Sequence, residues 1–401
     1  MTDILVIGAR GIPNMEGGAE KNAEMLFPQL VDAGYSVELL GIKEYITSPE
    51  FKGVKLRGLP TINIMKTDKI VYNLLALLYA VFTRPKIVHL QCLNSALFLL
   101  FYKMAGLKVV MRYGSSDYEF DKWGFVQRLV LRICEYQVRY ADHVVTVSQK
   151  FRKSLKERHG LQNITVIPNG LDRVNVSAAA TKYYNDLGLA QTPYVLSVGR
   201  VTADKDFETL VEAVRGLDDP SIQLVVAGGV EEGFGKKFVA DTDPRIRFIG
   251  RVDRDLLPAL YDNAAVYVNS SRHEGLSNAV LEALSYGCPL ILSDIPANVE
   301  MGVPDENYFS VGDADKLRVK IKNAIENPDA YRCVTDNFAK WEDVYRDILR
   351  VYAHVAPKTF CPAAVIKDNT ASQSGADTPG SKRLGTGEPS SDALGNEARH
   401  V

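Results

Sequence analysis

The stretch ILVIGARGIPNMEGGAEKNAEMLF, residues 4–27, carries the pattern on which the fold prediction depends. It begins with four consecutive apolar residues, continues through a glycine-containing loop and enters a helical pattern. A near-continuous apolar strand followed by a helix is typical of a parallel sheet that is covered on both faces. The same pattern restarts at YVLSVGR, residues 194–200. We therefore predict an α/β protein with two doubly wound, Rossmann-like domains that face a cleft.

Strand and helix patterns alternate along both halves of the chain. In the first half we predict strands at 4–8, 36–40, 87–91, 108–113, 143–148 and 164–168, and helices at 20–33, 69–82, 95–104, 122–140 and 149–159. In the second half we predict strands at 194–199, 223–228, 245–249, 265–269, 289–293 and 308–311, and helices at 207–217, 254–264, 278–286 and 315–326. One more helical segment follows at 329–354.

Four regions follow from these patterns. Residues 1–175 are the predicted first domain, and residues 190–328 are the second, separated by a stretch in which Asn-Gly, small residues and Pro interrupt the periodicity. Residues 329–356 form a helix that crosses back onto the first domain. Residues 357–401 are rich in Ser, Gly, Thr, Asp and Pro, so we expect a disordered tail that cannot bury enough apolar surface to fold.

Charge is distributed unevenly along the chain. Residues 1–173 contain 23 Lys and Arg against 16 Asp and Glu, whereas the remainder contains 24 against 33. Two explanations stay open: an anionic partner of the first half, such as a membrane surface, a lipid phosphate or nucleic acid, or two domains that complement each other. Nucleic-acid binding is not expected, because no interleaved aromatic residues or recognisable module accompany the basic residues.

Several other protein classes are not indicated. The five cysteines form no C-x-x-C pair, so neither a disulfide framework nor a zinc site is predicted. The first residues are typical of a strand rather than of a signal peptide. The longest apolar run, 70–82, is too short to span a bilayer, which takes about 20 residues. We predict a buried packing helix there, with a helix that also touches a membrane surface as the alternative.

The loop after the first strand is a candidate anion site. Gly17 and Gly18 stand at the start of the first helix, where unpaired N–H groups and the helix dipole favour a negative charge. A residue without a side chain lets the backbone approach a phosphate. The spacing of Gly8 and Gly11 is not the dinucleotide-binding fingerprint, so NAD is not expected. A tight turn without a ligand is the alternative.

Two cations follow the first strand of the second domain. That strand ends at Gly199, and Arg200 and Lys205 come directly after it. Fixed cations stabilise the negative charge that develops when a nucleoside diphosphate leaves, and they do so without a metal. The alternative is two solvated loop residues.

The stretch HEGLSNAVLEA, residues 273–283, is the strongest candidate site in the second half. Ser277 or Asn278 suits a helix N-cap, which places Glu274 in the loop and Glu282 about one turn inside the helix. Two carboxylates at this spacing can bind two hydroxyl-rich groups, with Glu274 on a sugar ring and Glu282 on a ribose diol. Backbone N–H groups that can bind phosphate belong to Gly275, Leu276, Ser277 and Asn278. For Glu282 the alternative is a solvated helix residue.

Two further loops leave strands toward the predicted cleft. Residues 167–172 contain an Asn-Gly turn and form a plausible hinge out of the first domain. Residues 112–119 follow another strand, and either Asp117 or Glu119 could orient an acceptor hydroxyl. A polar loop without a ligand is the alternative for the second of these segments.

With these residues assembled, the chain resembles glycosyltransferase family 4, the retaining enzymes of the GT-B fold, over roughly residues 1–355. Glu274 and Glu282 with Gly275 match the family's E-x7-E pattern, and Arg200 and Lys205 match its phosphate-binding pair. Residues 10–13, 17–20, 117–119 and 122–124 resemble a bacterial surface-polysaccharide branch, some members of which are rhamnosyltransferases. Trp341 with Tyr345 resembles the family's returning C-terminal helix.

The resemblance implies an activity and its partners. It implies transfer of a hexosyl or deoxyhexosyl unit from a nucleotide-diphosphate sugar to a glycan or lipid-linked acceptor, with retention of configuration, in cell-surface polysaccharide biosynthesis. No metal and no cofactor are expected. The leaving phosphate accepts the acceptor proton while Arg200 and Lys205 hold its charge, and Gly17, Gly18 and Gly199 belong to the donor site.

The resemblance also implies that the first domain holds the acceptor. This is the basic half of the chain, with five cations on the predicted helix 149–159 and Lys66 and Lys69 beside the apolar helix. We therefore expect a cytoplasmic protein whose acceptor is lipid-linked or lies near the membrane. Its peripheral contact with anionic lipid on the inner face of the membrane should weaken as the salt concentration rises.

The chain departs from the family at one position. Many members carry a His after the strand at 108–113, but this chain has Tyr-Gly-Ser-Ser at 113–116, and His89-x-Gln91 stands where some relatives have two histidines. Asp117 is the candidate for the contact with the donor sugar. Rival interpretations are a non-catalytic scaffold protein that binds sugar nucleotides, and a GT-B epimerase or phosphorylase.

Overall fold

The computed structural model of the protein describes residues 2–61, 68–115, 124–230 and 243–360. The strands of its first half are β1 (Ile4–Ile7), β2 (Val37–Ile42), β3 (Glu50–Phe51), β4 (Val54–Leu59), β5 (Ile87–Leu90), β6 (Val109–Tyr113), β7 (His143–Thr146) and β8 (Ile164–Val166). They form one sheet in the order β3-β4-β2-β1-β5-β6-β7-β8. Neighbouring strands are parallel except β3 and β4, which are antiparallel.

Helices cover this first sheet. They are α1 (Gly18–Asp32), α2 (Asp68–Thr83), α3 (Leu99–Met104), α4 (Phe125–Gln137) and α5 (Gln149–His159). Every residue of β1, β2, β5, β6 and β7 is buried, which explains why these strands are apolar almost throughout. The α5 helix begins after Ser148, whose hydroxyl accepts a hydrogen bond from the Phe151 N–H, and it ends at Gly160 in the left-handed conformation.

The second half repeats the architecture. Its strands are β9 (Tyr194–Val198), β10 (Gln223–Ala227), β11 (Ile246–Gly250), β12 (Val266–Asn269), β13 (Leu290–Ser293) and β14 (Tyr308–Phe309), all parallel and in the order β11-β10-β9-β12-β13-β14. Its helices are α6 (Ala178–Asp186), α7 (Phe207–Arg215), α8 (Leu257–Asp262), α9 (Asn278–Ser285), α10 (Pro296–Val299) and α11 (Ala314–Glu326). The strand order is that of a Rossmann domain, with the topological switch point beside the first strand.

A last helix, α12 (Trp341–Val355), returns to the first half of the chain as predicted. The segment before it pairs with the hinge, where the Leu171 N–H donates a hydrogen bond to the Ala339 carbonyl over 2.8 Å. The helix itself packs against α1. Buried Tyr352 reaches the first sheet and donates a hydrogen bond from its hydroxyl to Nδ1 of His89 over 2.7 Å.

The sequence analysis missed the β3–β4 hairpin and the helices α6 and α10. The β3–β4 hairpin lies at the edge of the first sheet, where Lys55 and Arg57 of β4 point outward and break the apolar run. The α6 helix lies inside the stretch that was expected to be an irregular linker. Its N-cap is Ser177, whose hydroxyl accepts from the Ala180 N–H, and only Ala180 is buried, so no apolar periodicity marks the helix in the sequence.

Three predicted helices are interrupted. The helix predicted at 95–104 is a 3-10 segment, Leu93–Phe98, followed by α3, and the helix predicted to end at residue 140 closes as a 3-10 turn after α4. The segment predicted at 329–354 contains a 3-10 turn and an irregular stretch before α12 begins. In the first two cases the apolar spacing continues through a tighter turn, which periodicity does not distinguish from an α-helix.

The expected disordered tail begins too early in the sequence analysis. Residues 357–360 belong to the described structure, and Phe360 is fully buried. Its ring lies 4.9 Å from that of Tyr35 and 5.3 Å from that of Tyr352. A single aromatic residue therefore anchors a segment whose composition is otherwise polar. The rest of the predicted tail, residues 361–401, lies outside the described residues.

His89 makes stability depend on pH. Burial first, and the Arg112 charge second, lower the pKa of His89 to about 3, whereas the unfolded chain protonates histidine near pH 6.5. Below pH 6.5 His89 therefore binds a proton in the unfolded chain but not in the folded chain, so the free energy of unfolding falls as pH falls. For this one group, each pH unit lowers the free energy of unfolding by up to about 1.4 kcal/mol.

We expect His89→Gln to lose less stability between pH 6.5 and pH 4.5 than the wild type does. Urea unfolding at the two pH values measures the difference, and His143, whose pKa is also lowered by burial, keeps part of the pH dependence in both proteins. An unchanged pH dependence in the variant would contradict the account.

Candidate active site

A cleft of about 350 Å³ lies at the carboxyl ends of both sheets. The predicted site residues that line it are Gly17, Gly18, Gly199, Arg200, Lys205, Glu274, Gly275, Leu276, Ser277, Asn278 and Glu282. The remaining predicted residue, Asp117, lies outside the described residues, although Gly114 and Ser115 just before it line the cleft. The fold thus brings together segments that are up to 265 positions apart in the chain.

The glycine loop places the start of α1 against the cleft. Gly17 has φ of +137°, and a Cβ built on it would lie 2.1 Å from Oε2 of Glu20, so a side chain does not fit at this position. Glu20 is held in place because Arg10 donates to its carboxylate over 3.0 Å. The N-terminus of a long helix therefore faces the cleft without a side chain in front of it, as an anion site requires.

The two predicted cations lie on the opposite wall. Arg200 is exposed at the end of β9, and Lys205 follows one 3-10 turn later. The Lys205 ammonium forms an ion pair with Oε1 of Glu274. The same oxygen accepts a hydrogen bond from the Ser271 hydroxyl over 2.9 Å. The Lys205 ammonium and the Glu274 carboxylate thus hold each other at the surface of the cleft.

The α9 helix supplies the second carboxylate. Oε2 of Glu282 accepts a hydrogen bond from the Tyr261 hydroxyl over 2.8 Å, and Oε1 lies 3.6 Å from Nζ of Lys21. Of the two predicted N-cap candidates, Ser277 occupies the position and Asn278 begins the helix. The Ser277 side chain makes no capping hydrogen bond.

Lys21 is a site residue that the sequence analysis missed. Its ammonium lies 3.2 Å from Asp172 of the hinge and 3.6 Å from Glu282 of the second domain. The signal was present, because Lys21 stands in the first turn of the helix that follows the glycine loop. A lysine at a helix start is unfavourable for the helix dipole, which points to a partner elsewhere.

Arg251 and Arg254 were also missed. They follow β11 and cross the cleft, where Arg254 pairs with Glu24 of α1 over 2.6 Å and donates to the Met15 carbonyl of the glycine loop over 2.8 Å. Arg251 donates to the Asn14 carbonyl. These contacts hold the glycine loop against the second domain. Cations just after a strand end were the available signal, as they were at Arg200.

His89 does not contact the cleft. Its ring is fully buried between Phe27 and Tyr352, and its low pKa keeps it neutral. The neighbouring Gln91 lines the cleft instead. The histidine that stands where some family members have two histidines therefore packs and forms hydrogen bonds in the interior here. His273 does line the cleft.

The cleft combines two kinds of recognition. Cations and backbone N–H groups suit a diphosphate, and the carboxylates of Glu274 and Glu282 suit hydroxyl groups. Within the four described ranges, no group of three or more His, Cys, Asp or Glu is arranged to hold a metal ion. The described cleft thus presents cations, backbone N–H groups and carboxylates that suit an anionic, hydroxyl-rich ligand.

Comparison with known proteins gives the same picture. A model described as Glycosyltransferase Family 4 matches residues 16–174, and one described as Glycosyl transferases group 1 matches residues 182–341. The O-antigen chain mannosyltransferase RfbU of Salmonella typhimurium is 24% identical over 224 residues, which cover 54% of this chain and 61% of that protein. The matched segments cover 51–62% of the lengths of the first relatives.

Solved structures share the fold. Sucrose-phosphate synthase from Thermosynechococcus elongatus superposes with a TM-score of 0.75 at 21% identity, over 89% of this chain and 100% of that chain. Anabaena HepE, solved in complex with UDP and glucose, superposes with a TM-score of 0.71 at 15% identity, over 88% of this chain and 100% of that chain. Two Rossmann-like domains that face a cleft define the GT-B class. The chain belongs to glycosyltransferase family 4.

Proposed function

We propose that the protein transfers a hexosyl or deoxyhexosyl unit from a nucleotide-diphosphate sugar to a glycan or lipid-linked acceptor in cell-surface polysaccharide biosynthesis. One observation carries the proposal: the side-chain-free start of α1 at Gly17 faces Arg200 and the Lys205–Glu274 pair across one cleft. The diphosphate lies between these groups, and the sugar lies beside Glu274. Glu282 binds the ribose. The complexes of HepE with UDP and with UDP-glucose in the same fold support this class of donor.

The proposed reaction proceeds with retention of configuration. Arg200 and Lys205 stabilise the charge that builds on the diphosphate as the bond to the sugar breaks. A phosphate oxygen on that same face accepts the proton of the attacking hydroxyl. Because Lys205 is held by Glu274, its ammonium is already in position before the charge develops, which is where electrostatic stabilisation is most effective.

Turnover of a donor panel tests this proposal against a non-catalytic scaffold. The protein is incubated with UDP-glucose, GDP-mannose, ADP-glucose and dTDP-rhamnose, with and without a lipid-linked saccharide fraction, and release of nucleoside diphosphate is measured. We expect release from one donor that rises when the acceptor is added. Binding of a donor without any release, in either condition, would favour the scaffold.

A second observation bears on the acceptor. Helices α2, α3 and α4 carry exposed apolar side chains that we call the apolar face: Ile70, Leu74, Leu78, Phe82, Leu100, Phe101, Met104, Phe125, Val126, Leu129 and Ile133. The α2 and α3 helices contact each other, and the 3-10 segment Leu93–Phe98 contacts both of them and α4. The opposite side of α2 is buried in the core through Tyr72, Ala76 and Ala80. The α2 helix therefore packs against the core with one side and exposes apolar side chains on the other.

Among the residues that the structure describes, the charges around the apolar face are mostly positive. Exposed cations in this region are Lys69, Arg84, Lys86, Lys108, Arg132 and Arg139. Of the acidic side chains described between residues 69 and 142, Glu135 is buried and Asp142 is paired with Lys103. Apolar side chains surrounded by cations favour the surface of an anionic bilayer. None of the described helices has the length and hydropathy to cross one.

We propose that the apolar face attaches the protein peripherally to anionic membrane and so brings the cleft to a lipid-linked acceptor. Phe82→Glu, at a position that is 83% exposed, is expected to lower sedimentation with phosphatidylglycerol vesicles at least about fivefold. Val319→Glu changes an exposed apolar residue of the second domain and serves as the matched control. Equal sedimentation of both variants and the wild type, or none by the wild type at low salt, would contradict the attachment.

A further inference from the structure

The side chain of Asn169 connects the two domains in the interior of the protein. It is 4% exposed and lies just after β8, at the hinge. Its oxygen accepts hydrogen bonds from Nδ2 of Asn22 over 3.1 Å and from Nη2 of Arg112 over 2.8 Å. Its nitrogen donates to Oδ1 of Asn278 over 2.7 Å. All three partners line or border the cleft, and only Asn278 belongs to the second domain.

Arg112 determines which way the Asn169 amide points. A guanidinium can only donate, so the amide oxygen has to face it and the amide nitrogen has to face Asn278. Arg112 is 4% exposed, and burial lowers its pKa to about 10, so it stays cationic at neutral pH. Within the described residues no carboxylate pairs with Arg112, which makes the Asn169 amide oxygen an important partner for the buried charge.

A chain of buried side chains enforces the same direction from the other end. Nε2 of Gln91 donates to the Ala19 carbonyl over 3.1 Å and to Oδ1 of Asn22 over 2.6 Å, so the Asn22 nitrogen is the atom that is left for Asn169. Oε1 of Gln91 accepts from Nε2 of His89 over 2.9 Å. Nδ1 of His89 in turn accepts from the Tyr352 hydroxyl. Each group donates to the next, from α12 to Asn169.

The result is a defined orientation of Asn278 at the start of α9. Its oxygen is engaged by Asn169, so its nitrogen is directed elsewhere, and a Cβ built on Gly18 would lie 3.6 Å from this nitrogen. The Asn278 NH₂ group therefore borders the glycine loop at which the donor site begins. In the opposite orientation, the amide oxygen would lie there and repel an anion.

We propose that the side-chain NH₂ of Asn278 binds the diphosphate of the donor and that Asn169 is the positioning residue that imposes this orientation. The inference rests on the proposed function, since it assigns a contact within that donor site. Because Asn22, Arg112 and Asn169 precede the second domain and Asn278 belongs to it, the NH₂ group is oriented only while the two domains are in contact as they are here. Closure of the cleft and assembly of the diphosphate site are thereby coupled.

A double-mutant cycle tests the assignment. Asn278→Ala removes the NH₂ group, and Asn169→Asp keeps the oxygens for Asn22 and Arg112 but removes the donor to Asn278. Kd is measured by calorimetry for UDP, GDP, ADP and dTDP and for the corresponding nucleosides, in the wild type, both single variants and the double variant. Asn307→Asp, a buried amide that donates to two carbonyls far from the cleft, is the matched control.

We expect each single variant to weaken diphosphate binding about tenfold or more, as for a lost hydrogen bond to a charged group, and to leave nucleoside binding within about twofold. The double variant should bind no more weakly than Asn278→Ala, because Asn169 acts through Asn278. Additive losses, or wild-type diphosphate binding by Asn278→Ala, would overturn the inference while leaving the proposed function in place. If the wild type binds none of the four diphosphates, the proposed function fails and the inference fails with it.

Discussion

Arg200→Ala and Lys205→Ala are each expected to lower kcat by about 100- to 1,000-fold, as when one preorganised group is removed from a developing charge. Both cations line the cleft at the end of β9. Arg200 is exposed, so its loss should leave the free energy of unfolding nearly unchanged. Loss of Lys205 leaves the Glu274 carboxylate with its Ser271 hydrogen bond, so we expect destabilisation of no more than about 3 kcal/mol.

Steady-state kinetics with the active donor and urea unfolding measure the two effects separately. Lys182→Ala is the matched control, because Lys182 is an exposed lysine that pairs with Asp186 within one helix of the same domain. Its kcat should equal that of the wild type. Near-wild-type turnover by either Arg200→Ala or Lys205→Ala would remove these residues from the proposed mechanism.

Gly275→Ala is expected to lower kcat/KM at least about 100-fold while the protein stays folded. Gly275 packs directly against the opposite wall of the cleft: a Cβ built there would lie 2.0 Å from the Gly114 carbonyl oxygen, which is backbone and cannot move aside. The two domains would have to separate. A displacement of about 1 Å at a reacting centre lowers the rate of the reaction by about 100-fold.

Gly124→Ala is the control for this substitution. A Cβ on Gly124 meets nothing nearer than Oε1 of Gln127 at 3.8 Å, so kcat/KM should be unchanged. The thermal unfolding midpoints of both variants report whether a loss of kcat/KM results from a folding defect. If Gly275→Ala retains kcat/KM within about threefold of the wild type, the close contact of the two domains is not required for the reaction.

The sequence was sufficient for the parts of the fold that depend on local patterns. The apolar strands are buried on both faces, and their alternation with helices defines two parallel sheets, so β1, β9 and their following loops could be located by inspection. The glycine loop, the cations after β9 and the E-x7-E stretch follow directly from such strand ends. Because parallel strands end at the same edge of a sheet, these segments meet in one cleft.

The contacts between the domains could not be predicted from the sequence. Asn169 and Asn278 are 109 residues apart, and Arg254 lies 230 residues from Glu24, so no local pattern relates the partners. His89 shows the same limit within one strand. Its side chain points to α1 and α12 rather than to the cleft, and that choice of face depends on a helix that begins at Trp341.

The central claim is that the cleft binds a nucleoside diphosphate without a metal. A thermal-shift panel with UDP, GDP, ADP, CMP and dTDP, in buffer without metal and again with EDTA, tests it most directly. The account predicts that one diphosphate stabilises the protein, by about 2.7 kcal/mol at 100 times its Kd, and that EDTA leaves the shift unchanged. No shift with any of the five ligands, or a shift that EDTA abolishes, would contradict it.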